Sequence, residues 1–292
     1  MSSIRHIVHA QVRDIGFPVR RLLPAAAVRT VGPFVFFDHM GPVTFDEEGT
    51  GGDVRPHPHI GLATVTYLFS GAMVHRDSLG SVQRITPGDI NWMTSGRGIA
   101  HSERVPEDIR RQGIAVHGLQ MWVALPKKDE QTDPGFWHYP VADLPLVQLD
   151  GAEIRVLAGQ AFGRTSPVRT HSGTLYVAGQ LAAGARLPVA PDYPERAVYV
   201  VSGALAVDGE AIEQGTLVVL EPGNTVELVA ESETSLMLLG GEPLDGPRFV
   251  WWNFVASTKE RIEAAKTAWA NQQQDFFPSV PGETEFIPLP ER

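Results

Sequence analysis

The stretch GDVRPHPHIG, residues 52–61, contains His57 and His59, and the stretch SGRGIAHSE, residues 95–103, contains His101 and Glu103. In each pair the two side chains are two residues apart. On a β-strand, residues i and i+2 point to the same face, about 7 Å apart. Two such strands lying side by side in a barrel would direct three imidazoles and one carboxylate at one point. That donor set is a ligand shell for a transition metal.

The composition indicates a globular protein of β-strands and turns. The 292 residues are enough for two domains, and the 29 glycines and 23 prolines favour short strands joined by turns. The sequence has no run of about 18 apolar residues and no apolar N-terminal segment. We therefore expect no membrane span, no signal peptide and a cytoplasmic protein. A net charge of −10 argues against direct nucleic-acid binding, and the absence of cysteine excludes disulfides and thiolate ligands.

Strand-like segments occur in both halves of the chain, and a helical signal is confined mainly to its end. The helix is predicted to begin near Ser257 as N-cap, with Glu260 three residues later, and to run through Trp269. The segments rich in β-branched or aromatic residues and bounded by Gly and Pro are predicted strands. They are residues 65–71, 81–93, 118–126, 196–203, 215–223 and 234–241.

The two halves of the chain repeat each other. Tyr67-x-x-Ser70-Gly71 recurs 132 residues later as Tyr199-x-x-Ser202-Gly203. A second set recurs 127 residues later with glycines and apolar residues in step: Ile85, Gly88, Ile90, Met93 and Gly96 correspond to Ile212, Gly215, Leu217, Leu220 and Gly223. The pattern predicts a duplication into two β-barrels, with residues 1–140 forming the first and residues 141–292 forming the second barrel plus a C-terminal helix and tail.

The duplication provides an internal control for the ligand set. Shifting His57 and His59 by 132 residues leads to Val189 and Pro191, and shifting His101 and Glu103 by 127 leads to Leu228 and Ala230. If the four polar residues were structural, at least one counterpart would be expected. The sequence therefore predicts one metal ion, in the N-terminal barrel.

The motifs PHPHIGLATVTYLFSG and PGDINWMTSGRGIAHSE resemble the two cupin motifs in the form typical of pirins, and HGLQMWVALP and GEPLDGP resemble further pirin segments. The resemblance covers nearly the whole chain. It implies an all-β bicupin, two tandem jelly-roll-like barrels, with iron on His57, His59, His101 and Glu103. The usual glutamate of the first cupin motif would fall at Thr64 and is absent, as in pirins. The stretch RFVWWNFVASTKERIEAAKTAW, residues 248–269, differs from the glycine-rich ending of many pirins.

Two functions are compatible with this resemblance. The first is a metal-dependent dioxygenase of the quercetin 2,3-dioxygenase type, acting on a flavonol or related aromatic enol, with Glu103 as catalytic base. The second is an iron-containing regulatory protein that binds a transcription factor or a metabolic enzyme. Nitrogen and oxygen donors without sulfur suit Fe(II), which the resemblance favours, and also Mn(II), Ni(II), Cu(II) and Zn(II). The residues that we expect near the substrate pocket are Asp38, Met73, His75, His117, Gln120 and Trp122.

Overall fold

The structure is a computed structural model that describes residues 2–291. It divides into two compact units. One, here called the N-terminal barrel, comprises Asp14–Val19, His39–Val141 and the chain from Asp245 onward. The other, the C-terminal barrel, comprises the chain up to Arg13, Arg20–Asp38 and Ala142–Leu244. The assignment of the continuous ranges 1–140 and 141–292 to single barrels stays a prediction.

Strands are the main regular elements of both units. Up to the end of the first half they are β1 Ile4–His9, β2 Gln11–Asp14, β3 Pro18–Leu23, β4 Phe34–Val43, β5 Val54–His59, β6 Leu62–Ser70, β7 Met73–Asp77, β8 Val82–Ile85, β9 Ile90–Thr94, β10 Ile99–Arg104, β11 Val116–Ala124 and β12 Gly135–Tyr139. Thereafter they are β13 Leu146–Leu149, β14 Ala152–Ala158, β15 Gln160–Ala161, β16 Arg164–Thr165, β17 Thr174–Leu181, β18 Arg186–Val189, β19 Glu195–Ser202, β20 Ala204–Val207, β21 Glu210–Glu213, β22 Thr216–Leu220, β23 Val226–Ala230, β24 Thr234–Gly241, β25 Phe249–Trp251 and β26 Phe254–Ala256. The α-helices are α1 Glu107–Arg111 and α2 Lys259–Ala270.

The N-terminal barrel is built from two antiparallel sheets. The larger contains the order β12-β9-β6-β11-β4, and the smaller has the order β5-β10-β7-β8. The predicted strand 81–93 is in fact two strands, β8 and β9, in different sheets. A turn separates them, where Gly88 has φ of +86° and the Asp89 carboxylate accepts hydrogen bonds from the Thr86 amide and hydroxyl. Glycine adopts this φ without the strain that a side chain would cause. Gly88 therefore permits the tight turn by which the chain passes from one sheet to the other.

The C-terminal barrel repeats this arrangement. Its larger sheet has the order β1-β22-β19-β24-β17-β14-β13 and its smaller sheet the order β18-β23-β20-β21. The N-terminal strand β1 pairs with β22, so it occupies the edge position that β12 holds next to β9 in the other barrel. The interior is a continuous cluster of Val, Leu, Ile and Ala, where each fully buried Val or Leu contributes roughly 1.5–3 kcal/mol. The predicted all-β fold of two barrels with a C-terminal helix is confirmed.

The C-terminal helix begins one residue later than predicted. Thr258 is the N-cap, and its hydroxyl accepts a hydrogen bond from the Arg261 amide. Ser257 instead donates its hydroxyl to Glu130, at 2.7 Å. The buried face of α2, which includes Ile262, packs in an apolar cluster of the N-terminal barrel. Among the helices within residues 2–291, none combines the length and the apolar character needed to cross a membrane.

Candidate metal centre

Neighbouring strands of the smaller sheet bring the two histidine stretches together. Strand β10 pairs antiparallel with β5, and His101 lies directly opposite His57 in the register. His59 lies two residues further along β5, on the same face as His57. The sequence prediction that the two stretches lie side by side is thus confirmed, because each strand presents its histidines to the barrel interior, where all three are buried.

The three imidazoles converge closely enough to share one ion. One nitrogen from each of His57, His59 and His101 lies within 4.8 Å of the others. The Nε2 atoms of His59 and His101 are 3.1 Å apart. Two donors bound to one ion at about 2.1 Å each can be no more than about 4.2 Å apart, so this separation suits two ligands of the same metal.

Backbone carbonyls fix the tautomers of two of these histidines. The Nδ1–H of His57 donates to the Arg55 carbonyl at 2.9 Å, and the Nδ1–H of His59 donates to the Asn253 carbonyl at 3.1 Å. A carbonyl oxygen only accepts, so the proton of each neutral ring sits on Nδ1. The Nε2 atoms then carry free lone pairs, as is typical of metal-binding histidines held by an outer hydrogen bond.

A hydrogen-bonded chain orients the third histidine. The Nε2–H of His75 donates to the Asp77 carboxylate at 2.9 Å, and both side chains are buried. When His75 is neutral, its Nδ1 accepts from the Nδ1–H of His101, 3.3 Å away. Nε2 of His101 is then left with a free lone pair facing that of His59. The ring of His75 is held in place by stacking on Phe136, with centroids 4.2 Å apart.

Burial keeps the three imidazoles neutral. Desolvation lowers the pKa of His57 to about 4, although its hydrogen bond to Arg55 opposes the shift. Burial also lowers the pKa of His59 and His101 well below the usual value, and the neighbouring histidines add to the effect. Neutral imidazole is the form that binds metal. Bare nitrogens that face each other at 3.1 Å repel unless a cation lies between them, so the residues present fit a divalent metal.

Glu103 follows His101 by two residues on β10, but its carboxylate is not part of the group within 4.8 Å. Burial raises the pKa of Glu103 to about 7, and a hydrogen bond from Thr66 opposes the shift. The hydroxyl of Thr66 also contacts the side-chain oxygen of Gln120 at 2.9 Å. The role of Glu103 as fourth ligand stays a prediction.

Two of the expected pocket residues contact the histidine cluster. His75 bonds to His101 as described, and the Trp122 ring meets His59 edge-on with centroids 5.4 Å apart. Gln120 lies on the same strand as Trp122 and faces Thr66 across the β6–β11 pair. His75 and Trp122 therefore place a polar and an aromatic group beside the histidine cluster, while the pocket role of Gln120 stays a prediction.

The other expected pocket residues have different surroundings. Met73 packs in an apolar cluster with Met40, Leu68 and Ile85. His117 stacks on His39, with Nε2 atoms 2.6 Å apart. Asp38 belongs to the C-terminal barrel, where Arg21 donates two hydrogen bonds to its carboxylate at 2.7 and 2.8 Å. Desolvation nevertheless raises the pKa of Asp38, with Arg21 opposing the shift. Their roles in a substrate pocket stay predictions.

Sequence reasoning missed Asp77 and Asn253. Asp77 shares the two-residue spacing of the ligand pairs, since His75-x-Asp77 lies on one strand, and this spacing is the signal that would have found it. Asn253 acts through its backbone carbonyl. Any residue type supplies that group, so no sequence signal marks it.

Comparisons with known proteins agree with this architecture. A family model of pirins matches residues 16–123, and a model of the pirin C-terminal cupin domain matches residues 176–275. A pirin-like protein of Caulobacter vibrioides is 47% identical over 288 residues, covering 98% of this chain and 99% of that protein. Human pirin is 30% identical over 275 residues, covering 91% of each. A crystal structure of quercetin 2,3-dioxygenase from Acinetobacter baumannii matches with a TM-score of 0.90 at 37% identity, covering 98% of this chain and 95% of that one.

Proposed function

Because this chain belongs to the pirin family, we propose that it is a metal-dependent dioxygenase that cleaves a flavonol, or a related aromatic enol, with O₂. The observation that carries the proposal is the cluster of three buried, neutral imidazoles on β5 and β10. The similarity to the quercetin 2,3-dioxygenase of Acinetobacter baumannii supports the choice of substrate class.

In this proposal His57, His59 and His101 hold one divalent ion, Fe(II), and Glu103 completes the ligand set. The ion supplies activation of O₂ and stabilises the negative charge of an ionised substrate. Three neutral imidazoles and one carboxylate leave a divalent ion with a net charge of about +1, which favours an anionic substrate oxygen.

Glu103 is the proposed catalytic base that accepts the proton of the substrate hydroxyl. In the metal-free chain burial raises its pKa to about 7, so the carboxylate exchanges a proton near neutral pH, as a general base must. A cation beside the carboxylate would lower this pKa. The hydroxyl of Thr66, which also contacts the side-chain oxygen of Gln120, lies against the carboxylate, while the Trp122 ring forms an apolar wall beside His59.

The test is O₂ consumption in a closed cuvette with quercetin and protein loaded with Fe(II), Mn(II), Ni(II), Cu(II) or Zn(II). Turnover is expected with Fe(II), and Glu103→Gln is expected to lose most of it while retaining metal. Gln keeps the size and an oxygen donor but cannot accept the proton. Glu107→Gln, at an exposed position on α1, is the matched control and should retain wild-type turnover.

Two results would contradict the proposal in different ways. Unchanged turnover by metal-loaded Glu103→Gln would remove Glu103 as the base. Absence of turnover with every metal across a panel of flavonols would exclude the dioxygenase activity. The remaining candidate would then be an iron-containing protein that binds a transcription factor or a metabolic enzyme, to be tested by capture of partners on wild-type and metal-free protein.

A further inference from the structure

The last segment of the chain, residues 271–291, lies against the two strands that carry the candidate ligands. The amide of Ile287 donates to the Pro56 carbonyl on β5 at 2.8 Å. The Ile287 carbonyl in turn accepts from the indole Nε1–H of Trp269 on α2, also at 2.8 Å. Phe277, which belongs to this segment, is buried and stacks on Phe254. Residues 271–291, here called the C-terminal strap, are therefore anchored to β5 and to α2.

Strand β5 forms few backbone hydrogen bonds of its own, so an anchor from the strap adds to what holds it in place. It is an edge strand, since its sheet has the order β5-β10-β7-β8, and two of its six residues are Pro56 and Pro58. Proline has no N–H to donate and is tolerated in a sheet mainly at edges. The strap uses the carbonyl of Pro56, which directly precedes His57, and so holds the outer side of the strand.

Glu283 makes the corresponding contact with β10. Its Oε1 accepts the Ser102 hydroxyl at 2.6 Å and the Nε–H of Arg104 at 3.1 Å, and its Oε2 accepts from a terminal nitrogen of Arg104 at 2.5 Å. The Glu283 side chain is only 9% exposed. A carboxylate that receives two parallel bonds from one guanidinium is held in a defined orientation.

These contacts alternate with the candidate ligands along β10. Ser102 lies between His101 and Glu103, and Arg104 follows Glu103, so Ser102 and Arg104 face the opposite side of the strand. The β5–β10 register shifts between His101 and Glu103. The extra residue of this bulge lies on β5, since Val54 to His57 opposes Glu103 to His101, and β10 pairs with β7 without a shift. A bulge disrupts the ladder locally, so the backbone bonds between the two ligand-bearing strands are interrupted here, and the contacts of Glu283 add a constraint on this side of β10.

We propose that the C-terminal strap positions the ligand-bearing strands, and that Glu283 is the positioning residue that fixes β10 at His101 and Glu103. Together with the Asn253 carbonyl on His59, the C-terminal part of the chain then supports each ligand-bearing stretch from outside the cluster. The inference rests on the metal site of the proposed function, and it is independent of the substrate.

The test compares Glu283→Gln with Glu285→Gln in the full-length protein. Glu285 also contacts Arg104, at 3.1 Å, but its side chain is 46% exposed, which makes it a matched control. Mn(II) is titrated into metal-free protein, with the free ion read from its electron paramagnetic resonance signal. Glu283→Gln should raise the Kd for Mn(II) about tenfold, the lower end of the effect of losing an outer partner of a ligand. Glu285→Gln should change it by less than about twofold, as expected for an exposed ion pair.

A second readout separates positioning from general stability. In metal-free Glu283→Gln, amide hydrogen exchange should accelerate in residues 99–104, while the amides of the C-terminal barrel keep wild-type rates. Ser102→Ala removes a single hydrogen bond to Glu283 and should raise the Kd for Mn(II) by a smaller factor. This variant replaces Glu283→Gln in the experiment if Glu283→Gln does not fold.

The outcomes distinguish this inference from the proposed function. Wild-type Kd and wild-type exchange in Glu283→Gln would overturn the positioning role of Glu283, and so would a wild-type Kd in Ser102→Ala when Glu283→Gln does not fold. Failure of the wild-type protein itself to bind any divalent metal would instead overturn the proposed function and, with it, the metal site on which the strap acts.

Discussion

The two barrels share one architecture and differ in what fills it. In the N-terminal barrel, His57 on β5 faces His101 on β10. In the C-terminal barrel the corresponding strands are β18 and β23, and Leu187 faces Leu228 across that pair. Both leucines are fully buried. The same pair of strands therefore closes either around polar ligands or around an apolar core, so the scaffold does not require a metal.

The residues that the two offsets predict as counterparts of the ligands lie on or directly beside β18 and β23. Val189, the predicted counterpart of His57, pairs with Val226, and Leu228, the predicted counterpart of His101, pairs with Leu187. The two offsets therefore do not place these counterparts opposite each other, as His57 and His101 are, because the connections between strands differ in length between the barrels. All four residues are apolar, so none of them can bind a metal.

The sharpest difference expected between the barrels is in metal content. The N-terminal barrel should bind one divalent ion per chain, and the C-terminal barrel should bind none, because its corresponding positions are apolar. Elemental analysis of protein equilibrated with excess metal and then desalted measures the ratio. A second tightly bound ion that persists when His101 is replaced by Ala would break the comparison.

Matched substitutions at corresponding positions should have opposite effects. His101→Ala should weaken metal binding by more than about 100-fold, beyond the usual effect of losing an outer partner, with the fold retained in circular dichroism. Leu228→Ala should leave the metal Kd unchanged and lower the free energy of unfolding by about 2–5 kcal/mol, because it opens a cavity in a packed core. Global unfolding of His101→Ala would indicate instead that the metal holds the barrel together.

Acid should destabilise the metal-free N-terminal barrel before the C-terminal one. The folded-state pKa of His57 is lowered to about 4, and those of His59 and His101 lie well below the usual value. Between about pH 4 and 6.5 the unfolded chain therefore binds more protons, and stability falls as the pH falls. The titration of Glu103 changes stability in the opposite direction, between its usual pKa of 4.5 and its folded-state pKa of about 7. The three imidazoles nevertheless outweigh this one carboxyl.

The expected loss is on the order of 1.4 kcal/mol per pH unit for each uncompensated group. Hydrogen exchange of chelator-treated protein at about pH 7 and about pH 5 locates it. Residues 54–104 should lose protection, while the C-terminal barrel, whose strands β18 and β23 pair buried apolar residues such as Leu187 and Leu228, should not. Equal loss in both barrels would show that the acid sensitivity does not come from the histidine cluster.

The smallest expected effect concerns the chain from Asp77 through His75 to His101. Asp77→Asn keeps the shape but removes the charge that holds the Nε2 proton of His75. Metal affinity should fall by about 10–100-fold, and isothermal titration with Ni(II) measures the change. Asp108→Asn serves as control, since that carboxylate pairs with Arg84 on the surface. Unchanged affinity in Asp77→Asn would mean that His101 is oriented by its strand alone.

Much of the site followed from spacing within a strand. His57, His59 and His101 were predicted as one cluster because the alternation of side chains on a β-strand is fixed by the backbone. The boundary of α2 was missed by one residue, since Ser257 and Thr258 are both good N-caps and the contact of Ser257 with Glu130, 127 residues away in sequence, selects between them. The turn at Gly88 was missed because a short strand–turn–strand segment has the composition of one long strand.

The sequence by itself determined the all-β duplicated fold, the histidine cluster and its absence from the second barrel, because these depend on residue type and on spacings of a few residues. The tertiary structure alone decided that β1 completes the C-terminal barrel, that Asp77 and His75 orient His101, and that Glu283 holds β10 from outside. Each of these contacts joins residues whose relative position depends on strand register and on the path of the connecting chain. Local backbone geometry does not constrain that path, and it is set only when the whole core packs.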